Sequence, residues 1–298
     1  MPAPLLAVDV PFLLYRSFFA LPESITGVDD HPVGALLGAA NALLRVVADR
    51  RPRAVVLCFG AEAAAYRVEL YTPYHADRPP VPDPLAWQFE QAPEFFTAFG
   101  WRCQGSEELE ADDLLGSYAV AEAAAGGSTL ILTGDRDMYQ CVDEQTTVLY
   151  LKSGTTGFET VNGAEVRRRY GIDPELVPDF IALRGDPSDS LPGAPGVGPK
   201  TAAELLLRHG SLEGALAAVG SVERPRPAPD ERPRVAQSLR ENAEALRKYC
   251  EIALLRPVDL ERPPDADTDL AGGAAAARRL GLGALTRRLE MVTSLADL

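Results

Sequence analysis

Lysine is nearly absent from this chain. Of its 29 basic residues only Lys152, Lys200 and Lys248 are lysines, and the rest are arginine. Acidic residues outnumber basic ones 43 to 29, leaving a formal net charge of −14 and a pI near 4.7. Taken as a total, that charge argues against an evenly basic phosphate-binding surface. Carboxylates that hold a metal ion, however, count as negative only while the metal is ignored. Cysteine is scarce too. Cys58, Cys103, Cys141 and Cys250 are scattered without a Cys-x-x-Cys pair, which argues against a disulfide framework or zinc site and for buried free thiols. No apolar run approaches the roughly 20 residues of a membrane span. No basic segment precedes the first apolar residues, so no signal peptide is evident and a cytoplasmic location is expected.

What is present is an ordinary globular complement of apolar residues, 46% of 298, enough for one large core or two joined domains. Leu5-Leu6-Ala7-Val8-Asp9 and Ala54-Val55-Val56-Leu57-Cys58-Phe59 read as buried parallel strands. Thr129 to Thr133 and Thr147 to Leu151 are two more, and Trp101 to Gln104 a short one. Helical text lies between them: Phe12 to Leu21, Val33 to Ala48, Trp87 to Phe99, and Asp112 to about Ala125. Strands alternating with helices predict a mostly parallel α/β sheet. From Glu165 the chain becomes mainly helical, closing with one Ala- and Leu-rich helix over Ala274 to Leu289. The division expected is an α/β core over 1–164 and a helical module over 165–298. Glu223 to Arg234, rich in proline and charge, reads as a flexible loop.

Acids gather where these strands and helices end. Asp9 closes the first strand, and ligands of open α/β sheets bind at such ends. Glu110, Asp112 and Asp113 crowd one helix start, where free N–H groups favour negative charge. Asp135 with Asp137, and Asp186 with Asp189, repeat the pattern. A lone acid of this kind is usually a cap, but several converging ones repel unless a cation sits between them. A hard divalent ion such as Mg²⁺ or Mn²⁺ fits that need.

Two other stretches stand out. Residues 61–86 hold Arg67, Tyr71, Tyr74, His75 and Arg78 before Pro79-Pro80-Val81-Pro82. Composition alone reads as a surface loop; the functional alternative is a mobile segment whose arginines meet phosphates and whose tyrosines stack on bases. Pro195-Gly196-Val197-Gly198-Pro199-Lys200-Thr201-Ala202 is a tight glycine hairpin feeding a helix. Its exposed backbone, free N–H groups and lysine suit gripping a phosphate without reading base sequence.

In this order the motifs resemble the flap endonuclease-like 5′-nuclease family, similar to the 5′-nuclease domain of bacterial DNA polymerase I. The resemblance runs from about Leu5 to Leu260. It is carried by Val8-Asp9 with Tyr15-Arg16, Glu110-Ala111-Asp112-Asp113, Thr133-Gly134-Asp135-Arg136-Asp137-Met138-Tyr139-Gln140, Gly185-Asp186-Pro187-Ser188-Asp189 and the glycine hairpin. No polymerase sequence follows, so a stand-alone enzyme is expected. The resemblance implies a PIN-like sheet flanked by helices, a helical arch near residues 66–90 and a helix–three-turn–helix module near 174–208. It implies cleavage of branched or 5′-ended DNA by a monomer at the nucleoid. By matching position, Asp9, Glu110 and Asp112, with Asp113 close by, would form a first metal group. Asp137, Asp186 and Asp189, with Asp135 at the boundary, would form a second. Gly196, Gly198, Lys200 and Thr201 would hold duplex phosphate, with K⁺ as a candidate at the hairpin. Arg67 and Arg78 would face the reacting phosphates, and Tyr74 would stack on an unpaired base.

The chain departs from the family pattern at three places. The family's Asp after the second-strand aromatic is Gly60 here. The lysine of its Tyr-Lys-Ala-Gly-Arg stretch is His75, followed by Ala76 and Asp77, and the Gly after Asp9 is Val10. The expectation is therefore a nuclease with its second metal group intact and its first weakened, in which Gly60→Asp would tighten the metal. The alternatives are a branched-DNA-binding protein without efficient chemistry, and an RNA-cutting relative.

Overall fold

The computed structural model describes residues 2–152, 157–220 and 233–296. Its centre is a six-stranded sheet built on β1 (Leu5–Asp9). β1 pairs in parallel with β2 (Ala54–Cys58) on one side and β4 (Thr129–Thr133) on the other. β3 (Arg102–Gln104) extends the sheet beyond β2, and β5 (Thr146–Leu151) extends it beyond β4. β6 (Phe158–Val161) adds an antiparallel edge. This last strand is too short, and carries too polar a Glu-Thr centre, for its periodicity to show in the sequence.

β1 and β2 are buried along their whole length because helices cover both faces of the sheet. Alternation then sorts their side chains. Leu5, Ala7, Val56 and Cys58 enter one core with Leu114, Leu115 and Tyr118 of α5 (Ala111–Ala124). Leu6, Val8, Val55 and Leu57 enter the other, with α1 (Val10–Ala20), α2 (Gly34–Arg50) and α4 (Asp83–Thr97). The short α3 (Ala65–Leu70) lies in the stretch expected as an arch, and α4 starts earlier than its apolar spacing predicts, with Pro84 in its first turn.

The chain runs outward from β1 to β2 and β3, then returns across β1 to β4. The crevice at the carboxyl ends of β1 and β4 is thus the point where strand order reverses, the place where such sheets bind ligands. The helical module follows: α6 (Gly163–Tyr170), α7 (Val177–Arg184), α8 (Pro199–His209), α9 (Leu212–Gly220) and α10 (Pro233–Ala253). Most of the loop expected from Glu223 lies outside the described residues. The single closing helix expected near the C-terminus is two helices, α11 (Leu270–Arg279) and α12 (Gly283–Ala296). Left-handed Gly281 (φ 76°) breaks it and turns both onto the second core.

The segment returning from α10 to α11 is tied to the sheet by a charged knot. Glu122, 1% exposed, accepts from Arg53 Nε at 3.0 Å and from Arg262 Nε at 3.0 Å. Arg53 also donates to the Pro263 carbonyl at 2.8 Å. Burial alone would raise the Glu122 carboxyl, but hydrogen bonds from both arginines outweigh it and hold the group below the ordinary range. Removing the carboxylate takes from the buried Arg53 side chain its buried acid partner and leaves it only Asp265 and the Pro263 carbonyl. Glu122→Ala is expected to cost about 3 kcal/mol in urea unfolding at neutral pH. Because the folded pKa is depressed, the wild-type contribution is present above the ordinary carboxylate range and lost as pH falls through the lower folded value.

Candidate active site

A cleft of about 870 Å³ opens at the crevice between β1 and β4. Eight acidic residues line it: Asp9, Glu62, Glu110, Asp112, Asp135, Asp137, Asp186 and Asp189. Only His75, Arg78, Arg136 and Arg184 bring basic groups to the same walls, so the cleft carries excess negative charge.

Four aspartates form its floor. Asp9 ends β1 and caps α1, accepting from the Phe12 N–H at 3.0 Å and from the Thr133 hydroxyl at 2.7 Å. Burial raises its pKa, partly offset by those two hydrogen bonds. Asp112 sits in the first turn of α5; burial and then the charges of Asp135, Asp9 and Glu110 push it well up. Asp135 follows β4 and accepts the Asp137 N–H at 2.8 Å. Burial pushes it up to about 7, against that hydrogen bond and with the help of Asp189, Asp9 and Asp186. Asp137 is raised well above its usual value by burial, then by Asp135, Asp189, Asp186 and Asp112. Asp112, Asp135 and Asp137 are thus each raised further by neighbouring acids of the cleft.

The donor set is all oxygen, which suits a hard divalent cation. Among the described residues, however, no group of three or more His, Cys, Asp or Glu side chains is arranged to hold a metal ion by itself. Such an arrangement fits Mg²⁺-type ions, which keep several waters and take one or two carboxylates together with substrate phosphate.

Two of the expected site residues face elsewhere, and a third lines the cleft only as part of its wall. Asp113 does not line the cleft. It is fully buried, pairs with Arg67 Nη2 at 2.9 Å and accepts the Arg256 N–H at 2.8 Å. Its other oxygen closes the capping box on the Glu110 N–H. Adjacent positions on a helix diverge by about 100°, so Asp112 and Asp113 cannot serve one ion together. Arg67 does not face a phosphate either. It is 3% exposed, held by Asp113, by an ion pair with Glu110 Oε2 at 3.0 Å, and by the Ile252 carbonyl at 3.0 Å. Tyr74 is 5% exposed; its hydroxyl donates to Glu110 at 3.0 Å and its ring stacks on His75 with centroids 3.8 Å apart. It braces the cleft wall and leaves no open ring face of the kind a base would stack on. Glu110 reaches the cleft, but one oxygen takes the Ala64 N–H at 2.8 Å and the other serves Tyr74 and Arg67.

The remaining acids carry cationic neighbours. Asp189 Oδ1 lies 3.0 Å from His75 Nε2 and 3.1 Å from Arg78 Nη2. His75 Nδ1 meets the Glu62 carbonyl at 2.9 Å. Asp186 accepts from Arg184 Nη2 at 2.9 Å and from the N–H and hydroxyl of Ser188. Arg184 lies outside the quoted motifs, and Arg136 and Ser188 lie within them with no role expected of them. Across the module, Gly196 and Gly198 stand exposed on either side of buried Val197, with Lys200 exposed in the first turn of α8 and Thr201 half-buried beside it.

Gly60 is a matter of space. A Cβ there would stand 2.2 Å from the Ala111 nitrogen and 2.4 Å from the Glu110 carbonyl carbon. The start of α5 therefore occupies the room that a side chain at position 60 would need, and an aspartate cannot be restored without moving that helix.

Fold and cleft together define a resolvase-like α/β nuclease domain joined to a helical module. The sequence model of the 5′-3′ exonuclease N-terminal resolvase-like domain matches residues 4–171, and that of the 5′-3′ exonuclease C-terminal SAM fold matches residues 172–268. A 5′-3′ exonuclease of Streptomyces coelicolor is 36% identical, with 95% of this chain and 97% of that protein aligned. DNA polymerase I of Mycobacterium bovis is 34% identical over 88% of this chain, a region that makes up 28% of the polymerase. A structure of the bacteriophage T5 flap endonuclease, a pseudo-enzyme-product complex with DNA and metal ions, shares the fold at TM-score 0.67 and 14% identity, covering 99% of this chain and 100% of that one. The chain belongs to the 5′-3′ exonuclease family.

Two outcomes follow from the cleft. Raised aspartate pKa values mean that the folded state binds more protons than the unfolded one between the ordinary carboxylate range and about 7. Without divalent ions, stability measured by denaturant unfolding is therefore expected to fall as pH rises through that window, and Mg²⁺ should remove the decline. Gly60→Asp is expected to lower stability by roughly 2 kcal/mol through overpacking, with no gain in metal affinity by calorimetry.

Proposed function

We propose that this chain is a divalent-metal-dependent, structure-specific nuclease that hydrolyses phosphodiester bonds near the 5′ ends of branched or frayed DNA. One observation carries the reading: buried Asp9 and half-buried Asp112, Asp135 and Asp137 line one cleft at the switch point of the sheet, and the last three are raised further by neighbouring acids. Such an arrangement burdens a fold unless a cation and a phosphate complete it. A bound Mg²⁺ or Mn²⁺ would supply a water of lowered pKa and stabilise the departing oxygen.

The chain's own groups do the rest. Asp9 and Asp112 reach the cleft from different elements. Asp135 holds the Asp137 backbone and so fixes the turn after β4. Arg78, with 40% of its side chain exposed, can leave Asp189 for a phosphate entering from the rim, and Arg136 borders the same path. His75 braces the segment that carries Arg78. The hairpin at Gly196 and Gly198, with Lys200 and Thr201, suits duplex phosphate at a distance from the cut, and carbonyls there would accept K⁺.

Capped Asp186 and Asp189 and the blocked position at Gly60 favour one alternative, a branched-DNA-binding protein with weak chemistry. A 5′-flap substrate with Mn²⁺ separates the two. Asp112→Asn and Asp135→Asn are each expected to lower the cleavage rate at least ~100-fold while leaving flap binding intact. Unchanged rates in both variants would refute the nuclease assignment of this cleft. A matched RNA flap should be cut far more slowly, since the hairpin grips a duplex backbone.

A further inference from the structure

The acids of the cleft divide by the company they keep. Among the described residues, the carboxylates of Asp112 and Asp137 have no hydrogen-bond or ion-pair partner, and Asp9 and Asp135 accept only from neutral donors. Asp186 and Asp189 are different. Arg184 Nη2 stands 2.9 Å from Asp186 Oδ2, while Ser188 occupies Asp186 Oδ1. Asp189 Oδ1 has His75 Nε2 at 3.0 Å and Arg78 Nη2 at 3.1 Å. Two guanidinium groups thus face two carboxylates, the charge that one divalent ion would bring.

Arg184 and His75 reach these acids from fixed places. Arg184 closes α7 and lies over the Phe180 ring, its Cζ 5.3 Å from the centroid. His75 is clamped between the Tyr74 ring and the Glu62 carbonyl in a left-handed backbone conformation (φ 56°). A divalent ion binding Asp186 and Asp189 would have to displace Arg184 and Arg78 or sit against like charge. The same contacts join the segment after α3 to the turn after α7, so the first and second parts of the chain meet across the cleft.

We infer that Arg184 and Arg78 serve as built-in counter-ions for Asp186 and Asp189, so that the free protein holds one divalent cation, at the aspartate floor, and not two. This rests on the metal-dependent reading of the cleft. It reverses the expectation that the second metal group is the intact one. The obstacle at Asp186 and Asp189 is occupancy by the chain's own cations, not a missing acid.

The test is Mn²⁺ binding to the full chain at fixed pH and ionic strength, followed by titration calorimetry and by the paramagnetic resonance of free Mn²⁺. One ion per chain is expected in the wild type. Asp186→Asn and Asp189→Asn should leave its affinity unchanged within about threefold, whereas Asp135→Asn should weaken it roughly 10- to 100-fold. Arg184→Met combined with Arg78→Met should admit a second ion. The Asp→Asn variants are isosteric and decide the matter even if the double arginine variant folds poorly. Two ions of similar affinity in the wild type, or loss of the first ion in Asp186→Asn, would overturn the counter-ion assignment while leaving the metal-dependent reading in place. No bound Mn²⁺ in any variant would overturn both.

Discussion

Mutual repulsion among carboxylates drawn into one cleft is the constraint around which this molecule is arranged. Asp9, Asp112, Asp135 and Asp137 come from three separate parts of the chain and meet only because β1 and β4 lie side by side while α5 packs over them. In water, such groups would ionise and separate. Here burial raises the pKa of each, and three of them are raised further by other acids of the cleft. A fold that gathers them is organised for a cation and an anionic substrate, because these convert a destabilising cluster into a binding site.

The structure holds that cluster in place with a second, fully satisfied set of charges. Arg67 lies behind the cleft wall between Glu110 and Asp113, and the same Asp113 takes the backbone N–H of Arg256 on the returning segment. The start of α5 is thereby pinned against β2 so closely that position 60 has room only for glycine. Loss of an acid there and the tight seat of the helix are one feature. The helix stands where the acid's side chain would have to pass.

Much of this was legible in the chain itself. The apolar runs of β1, β2, β4 and β5 announce buried strands, and Asp9, Asp135, Asp137 and Asp186 fall at element ends where a ligand crevice forms. The signal failed where orientation mattered more than spacing. Asp112 and Asp113 are indistinguishable as letters, yet one faces the cleft and the other faces Arg67. Arg67 and Tyr74 sit in text that reads as an exposed loop, but α3 turns Arg67 inward and the turn after it does the same for Tyr74. Arg184 carries no motif, and only the fold shows that it reaches Asp186. β6 was too short to register, and the break at Gly281 was hidden inside an Ala- and Leu-rich run.

The central claim is that the aspartate floor seats a divalent cation. Anomalous diffraction from a crystal grown with Mn²⁺ tests it most directly. The account expects a peak bordered by Asp112, Asp135 and Asp137, with water completing its shell. A peak elsewhere on the molecule, or an empty floor at saturating Mn²⁺, would contradict it.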